Sequence, residues 1–134
     1  MNISHIEHIG IAVKSIEESK KYYEEVLGLK CYSVEEVAEQ KVKTAFFQVG
    51  DTKIELLEST SPDGPIGKFI EKKGEGMHHL AFAVNNTNEA LQDVVSKGVQ
   101  LIDKASRNGA EGLKIGFLHP KSTHGVLTEL CSKE

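Results

Sequence analysis

The sequence predicts an α+β fold built from two tandem β-α-β-β-β modules, and three observations carry that prediction. The stretch Glu7-His8-Ile9-Gly10-Ile11-Ala12-Val13 aligns without a gap on His78-His79-Leu80-Ala81-Phe82-Ala83-Val84. Each copy runs directly into a helical pattern, and each helical pattern is followed by three strand-like segments. Internal repetition in the same element order implies two copies of one supersecondary unit.

In the first copy, Ser15 is placed to cap a helix with Glu18 at the capping-box position. Ile16, Tyr22, Tyr23, Val26 and Leu27 supply its apolar stripe, and Gly28 ends it. Strand patterns follow at 30–37, 42–49 and 52–57, with Gly50-Asp51 as a tight hairpin signal. The stretch 61–76 contains Pro62-Asp63-Gly64-Pro65 and a short helical pattern over 66–72, so it reads as an ordered connection. In the second copy Asn86 or Thr87 caps, Ala90, Leu91, Val94 and Val95 form the stripe, and Gly98 ends it. Strands are expected at 99–103, 114–118 and 125–131, with longer loops at 106–112 and 120–124. The chain thus divides into a first module of about 1–60, a connection of 61–75 and a second module of about 76–134, all within one domain spanning 1–134.

Bulk composition fits that size. With 134 residues, 39% hydrophobic and 27% charged, the chain suffices for one core of modest volume. A net charge of −4 and no basic run exclude a phosphate-tracking surface, so nucleic acid is not an expected partner. No apolar stretch approaches the roughly 20 residues a membrane helix needs, and the polar start lacks a signal-peptide pattern; the expectation is a cytoplasmic protein with no membrane partner. Cys31 and Cys131 are far apart and form no Cys-x-x-Cys pair, which argues against a zinc knuckle or redox dithiol.

Strand alternation places His8, Gly10 and Ala12 on one face and Ile9, Ile11 and Val13 on the other. His79, Ala81 and Ala83 share a face in the second copy, opposite Leu80, Phe82 and Val84. Each histidine is therefore aligned with small residues that leave space above the sheet. The last strands also correspond, Lys53-Ile54-Glu55-Leu56-Leu57 with Leu127-Thr128-Glu129-Leu130-Cys131, around one glutamate each. Acidic residues inside strands are disfavoured unless something satisfies them. The pairs His8/Glu55 and His79/Glu129 are donors suited to a divalent ion such as Zn, Co, Ni, Mn or Fe. His5, His78, His119 and His124 have no repeat-matched acidic partner and read as surface or structural residues.

At these positions the sequence resembles the vicinal oxygen chelate (glyoxalase/bleomycin resistance/dioxygenase) superfamily over essentially its whole length. More narrowly it resembles the methylmalonyl-CoA epimerase family, through 8–13, 52–57, Gly76-Met77-His78-His79 and Phe117-Leu118-His119-Pro120-Lys121, followed by Gly125-Val126-Leu127-Thr128-Glu129-Leu130. The resemblance implies a curved, incompletely closed, eight-stranded barrel-like sheet around a metal site. It further implies that His8, His79 and Glu129 bind the ion, with Glu55 at a fourth position filled by Gln or Glu in relatives. The ion is divalent, with Co, Zn, Ni, Mn and Mg not distinguished. The implied activity is epimerisation of (2R)- and (2S)-methylmalonyl-CoA by proton abstraction at C2, in a homodimer acting on a small acyl-CoA in propionate metabolism.

A dication chelating the thioester and carboxylate oxygens would stabilise the charge developing on the enolate, and two acid/base groups or one mobile one would move the proton. Glu129 is the candidate for one of them. Some family members carry a carboxylate on the third strand of the first half, but here the aligned residue is Thr44, so that role does not transfer. Glu36, Glu39 and a metal-held water remain as alternatives for the second group. Lys114, Lys121 and Arg107 are candidate contacts for coenzyme A phosphates, and the 106–112 loop a candidate cover for the acyl group. A glyoxalase-type lyase or isomerase would use the same four positions, though the His-Pro-Lys loop departs from the Asp-Pro-Asp-Gly turn such relatives carry. Ring-cleaving dioxygenases are generally longer, and a metal-free small-molecule-binding protein would not need four ligand-type residues.

Overall fold

In the computed structural model, which describes residues 1–133, the elements follow the order of the repeat apart from one displaced strand. Among the described residues they are β1 (Ile3–Ala12), α1 (Ile16–Lys21), β2 (Cys31–Val37), β3 (Val42–Val49), β4 (Thr52–Ser59), α2 (Pro65–Lys73), β5 (Gly76–Val84), α3 (Thr87–Ser96), β6 (Arg107–Asn108), β7 (Lys114–Leu118) and β8 (Thr128–Ser132). The eight strands are hydrogen-bonded in the order β2-β3-β4-β1-β5-β8-β7-β6. Read inward from each edge, that order is 2-3-4-1 and 6-7-8-5, the same arrangement twice, as the sequence repeat requires. The α+β class and the eight-stranded sheet are those expected. No described helix is long and apolar enough to cross a membrane.

Contacts group the chain into two units, Ile9–His78 and Met1–His8 together with the chain from His79 onward. In the first, β3 and β4 pair antiparallel from Val42↔Ser59 to Val49↔Thr52. The hairpin turns at Gly50, whose φ of 61° is a conformation glycine adopts at no steric cost. Val13, Ala45, Phe47 and Leu56 pack on Ile16 of α1, while on the other face Ala12, Val42 and Leu57 pack on Ile66 of α2. Ser15 caps α1, accepting from the Glu18 N–H at 3.2 Å.

The predicted stripe of this helix needs a correction. Tyr22, Val26 and Leu27 are exposed, and of the stripe only Ile16 and Tyr23 reach the core. The cause is a π turn over Tyr22–Val26, in which the Leu27 N–H reaches back five residues to the Tyr22 carbonyl at 3.1 Å. A wider turn rotates the following side chains off the 3.6-residue face.

In the second unit β8 runs parallel to β5 and antiparallel to β7. Ala90, Leu91 and Val94 of α3 pack on Val84, Leu118 and Leu130, and Asn86 caps the helix by accepting from the Glu89 N–H at 3.0 Å. Val95, assigned to the stripe, is exposed. The fit is close at β7, where a Cβ on Gly116 would stand 2.8 Å from Leu91 Cδ1. Ala81, Ile115 and Cys131 make a separate cluster, with Leu113 and Phe117 packed against it.

Two strand expectations fail here. Segment 99–103 contributes only the bridge Leu101↔Leu118, and the second strand of this half is β6, inside the stretch read as a loop. The backbone groups of 99–103 are engaged elsewhere: the Val99 N–H bonds the Val94 carbonyl, and the Ile102 and Asp103 N–H groups both donate to the Phe117 carbonyl. Asp103 Oδ2 then takes the Phe117 N–H at 2.9 Å, so a side chain replaces a ladder partner. The last strand starts at Thr128 and not 125, because His124 (φ 58°) and Gly125 (φ 87°) are still turning.

Candidate functional site

The small residues of β5 and the register of β8 build the site. Ala81 lies beside Glu129 across the parallel ladder, and Phe117 of β7 lies beside it on the other side. Glu129 thus occupies a gap between a methyl group and a ring, on the sheet face opposite α3. His79, two residues before Ala81, projects from the same face of β5. His8 arrives on β1 and completes a group in which all three side chains are buried: His8 is 4% exposed, His79 8% and Glu129 3%.

Their donor atoms converge. His8 Nε2 lies 3.0 Å from His79 Nε2 and 3.2 Å from Glu129 Oε1, and His79 Nε2 lies 3.0 Å from the same oxygen. The two imidazoles meet edge to face, with centroids 5.1 Å apart and planes at 88°, and Phe117 closes the far side of His79 in a second edge-to-face contact at 5.4 Å. Burial pushes the Glu129 carboxyl up, but hydrogen bonds and charge from His79 and His8 prevail and hold it below the ordinary carboxylate range.

The donor set fits a divalent cation. Two imidazole nitrogens and a carboxylate oxygen aimed at one point repel one another unless a proton or cation lies between them. Ligands about 2.1 Å from a six-coordinate ion stand about 3.0 Å apart in adjacent positions, against about 3.4 Å for a tetrahedral ion. The edges of 3.0, 3.2 and 3.0 Å lie within that range, so all three donors could reach one ion.

Glu55, the fourth residue singled out in the sequence, lies in the Ile9–His78 unit. It is 4% exposed on β4, opposite Phe46 of β3, on the strand face away from α1. Thr44, on the neighbouring strand, is also buried. Glu36 and Glu39 are exposed. Arg107 is engaged locally, donating from Nε to Asp103 Oδ1 at 3.1 Å and lying over the Phe117 ring, and Lys114 donates to Asn108. His119 accepts the Lys121 N–H on Nδ1, His5 contacts Ser4 at the surface, and His78 packs edge-on against Phe69.

Two residues beside the triangle were not singled out as functional. Glu7 Oε1 accepts from His8 Nδ1 at 2.5 Å, and the Cys131 thiol donates to Glu129 Oε2 at 3.4 Å. Alternation sends Glu7 to the face opposite His8, so strand patterning gives no signal for that contact. For Cys131 a signal existed, since it shares the Glu129 face two residues on.

The chain belongs to the Glyoxalase/Bleomycin resistance protein/Dioxygenase superfamily, whose family model matches residues 7–117. Within that superfamily it is similar to the methylmalonyl-CoA epimerases. It is 36% identical to human mitochondrial methylmalonyl-CoA epimerase over 130 residues, covering 96% of this chain and 74% of that protein. The Streptomyces coelicolor methylmalonyl-CoA epimerase, solved as a single-substitution variant in complex with 2-nitronate-propionyl-CoA, superposes with a TM-score of 0.95 at 36% identity, covering 98% of this chain and 95% of that one. An uncharacterized Bacillus subtilis protein, YqjC, is 50% identical over 129 residues, covering 96% of this chain and 92% of its own.

Proposed function

We propose that this protein is a metal-dependent epimerase that interconverts (2R)- and (2S)-methylmalonyl-CoA. The observation that carries the reading is the buried triangle of His8, His79 and Glu129, found in a chain similar along its length to epimerases of that substrate. His8, His79 and Glu129 would hold the ion. A divalent ion held there would supply positive charge that stabilises the enolate formed when the C2 proton leaves.

The chain's own residues orient and exchange. The two imidazoles fix one edge of the site, and Phe117 and Ala81 restrict water beside Glu129. Glu129 is the candidate acid/base group: Oε1 faces the histidines, and Oε2, which accepts the Cys131 thiol at 3.4 Å, would exchange a proton with C2 once that contact opens. Inversion needs a proton removed on one face of C2 and one delivered on the other, so the delivering acid is a second group or a solvent proton. The protein works as a homodimer in the cytoplasm, expectations carried by the resemblance and the composition.

The deciding experiment incubates purified, metal-loaded protein with (2R)-methylmalonyl-CoA in heavy water. Deuterium should enter at C2 with loss of optical purity. A metal-loaded, folded protein that leaves C2 unexchanged would sink the proposal.

A further inference from the structure

Glu7 has no role in the chemistry above, yet it touches the site from behind. Its Cβ leaves β1 on the face opposite His8, and its side chain bends back so that Oε1 takes the His8 Nδ1 proton at 2.5 Å. Both partners are shielded, with side-chain exposures of 14% for Glu7 and 5% for His8. Cys131 makes the equivalent contact on Glu129: its thiol donates to Oε2 while Oε1 faces the histidines. Each of these two site residues is thus engaged by the triangle through one polar atom and by a neighbour through the other.

We infer that Glu7 is a positioning residue of the metal centre, holding His8 in the Nδ1–H tautomer so that the Nε2 lone pair points at the ion; this rests on the reading of His8, His79 and Glu129 as ligands. A neutral imidazole offers a lone pair on one nitrogen only, and an acceptor at Nδ1 decides that it is Nε2. A carboxylate in that place also raises the basicity of the ligating nitrogen, and such partners typically alter metal affinity about 10–100-fold.

The alternative for these residues is a second ion, since Glu7, His8 and Cys131 offer donor atoms within 4.8 Å of one another. The 2.5 Å separation opposes it. Two donors on one divalent ion stand about 3 Å apart, whereas a proton shared between imidazole and carboxylate brings them closer.

The test uses full-length protein loaded with zinc, which is diamagnetic. In the wild type the His8 ring should show a slowly exchanging Nδ1 proton by nitrogen-edited NMR, with one zinc per chain. Glu7→Ala should lose that slow proton and bind zinc about 10–100-fold more weakly by chelator competition. Glu7→Gln keeps an acceptor without the charge, so it should restore the slow proton and part of the affinity. Wild-type affinity and an unchanged proton in Glu7→Ala would overturn the inference, as would a Gln variant no better than Ala. A second zinc lost in Glu7→Ala and Cys131→Ala would replace it with a two-ion site. Should Glu7→Ala fail to fold, Glu7→Gln alone decides, and zinc affinity equal to wild type overturns the proposal. The underlying ligand reading fails separately: it falls if His79→Ala binds zinc as tightly as wild type.

Discussion

Glu55 and Glu129 occupy matching positions in the two halves, are almost equally buried, at 4% and 3% exposure, and each has a phenylalanine across its antiparallel ladder. Glu129 stands between Ala81 and Phe117, with two imidazoles on one oxygen and a thiol on the other. Glu55 faces Phe46 across the β3–β4 ladder. The repeat fixes which strand face a carboxylate occupies and which ring it meets across the ladder, whereas the convergence of His8 and His79 on Glu129 Oε1 defines the triangle.

The sharpest way to break that comparison is the same substitution at both places. Glu129→Gln should weaken metal binding and, even when reloaded at high metal concentration, lose C2 exchange by about 10²–10⁴-fold, since the amide keeps an oxygen donor but not the basicity. Glu55→Gln should cost no more than about tenfold, or 1.4 kcal/mol, because the amide keeps an oxygen and Glu55 is not the proposed proton acceptor. Deuterium incorporation on metal-saturated variants measures both. Equal losses at the two positions would mean that the halves share the chemistry, and the distinction drawn here would fall.

A second contrast lies within one strand. His79→Ala should strip most of the metal, from about one ion per chain, whereas His78→Ala should retain it, because His78 packs on Phe69. Elemental analysis after dialysis separates them. Retention in the His79 variant would remove the triangle as the site.

How far the sequence foretold these differences depends on the interaction. Alternation in 8–13 and 79–84 was enough to assign His8 and His79 to the small-residue face, because a buried strand has a period of two and a register slip would expose its whole apolar set. The glutamates were found by repeat matching. Glu7 was invisible, since a bent side chain defies the alternation rule, and so was the loss of strand at 99–103, where Asp103 takes a backbone partner. The π turn was hidden because helical spacing alone cannot show where a turn widens.

That turn yields a stability contrast. Leu91→Ala removes a fully buried side chain from between α3 and β7 and should cost about 2–5 kcal/mol. Val26→Ala, at 70% exposure, should stay within about 0.5 kcal/mol, although the spacing gave both residues to an apolar stripe. Urea midpoints decide it, and a large loss at Val26 would mean that its face is covered.

The smallest expected effect compares the helix starts. Ser15 and Asn86 each accept from the N–H three residues on, and each helix has its first amide held from a strand: Ile16 N–H by Glu58 Oε1 at 2.7 Å, Thr87 N–H by Ser132 Oγ at 3.0 Å. Glu58 and Ser132 stand three residues beyond Glu55 and Glu129, so the tether repeats even though the residue type does not. With the first amide satisfied elsewhere, deleting either cap side chain exposes one orphan donor and no more. Ser15→Ala and Asn86→Ala should therefore each cost about 1 kcal/mol, with an unchanged urea slope. The prediction is equality despite helices of 6 and 10 residues, because a cap acts on a terminus and not on a length. A cost at one cap at least twice that at the other would show that the strand tethers are not equivalent. The natural culprit would then be the charged Glu58, whose hydrogen bond gains from the helix dipole as the Ser132 hydroxyl cannot.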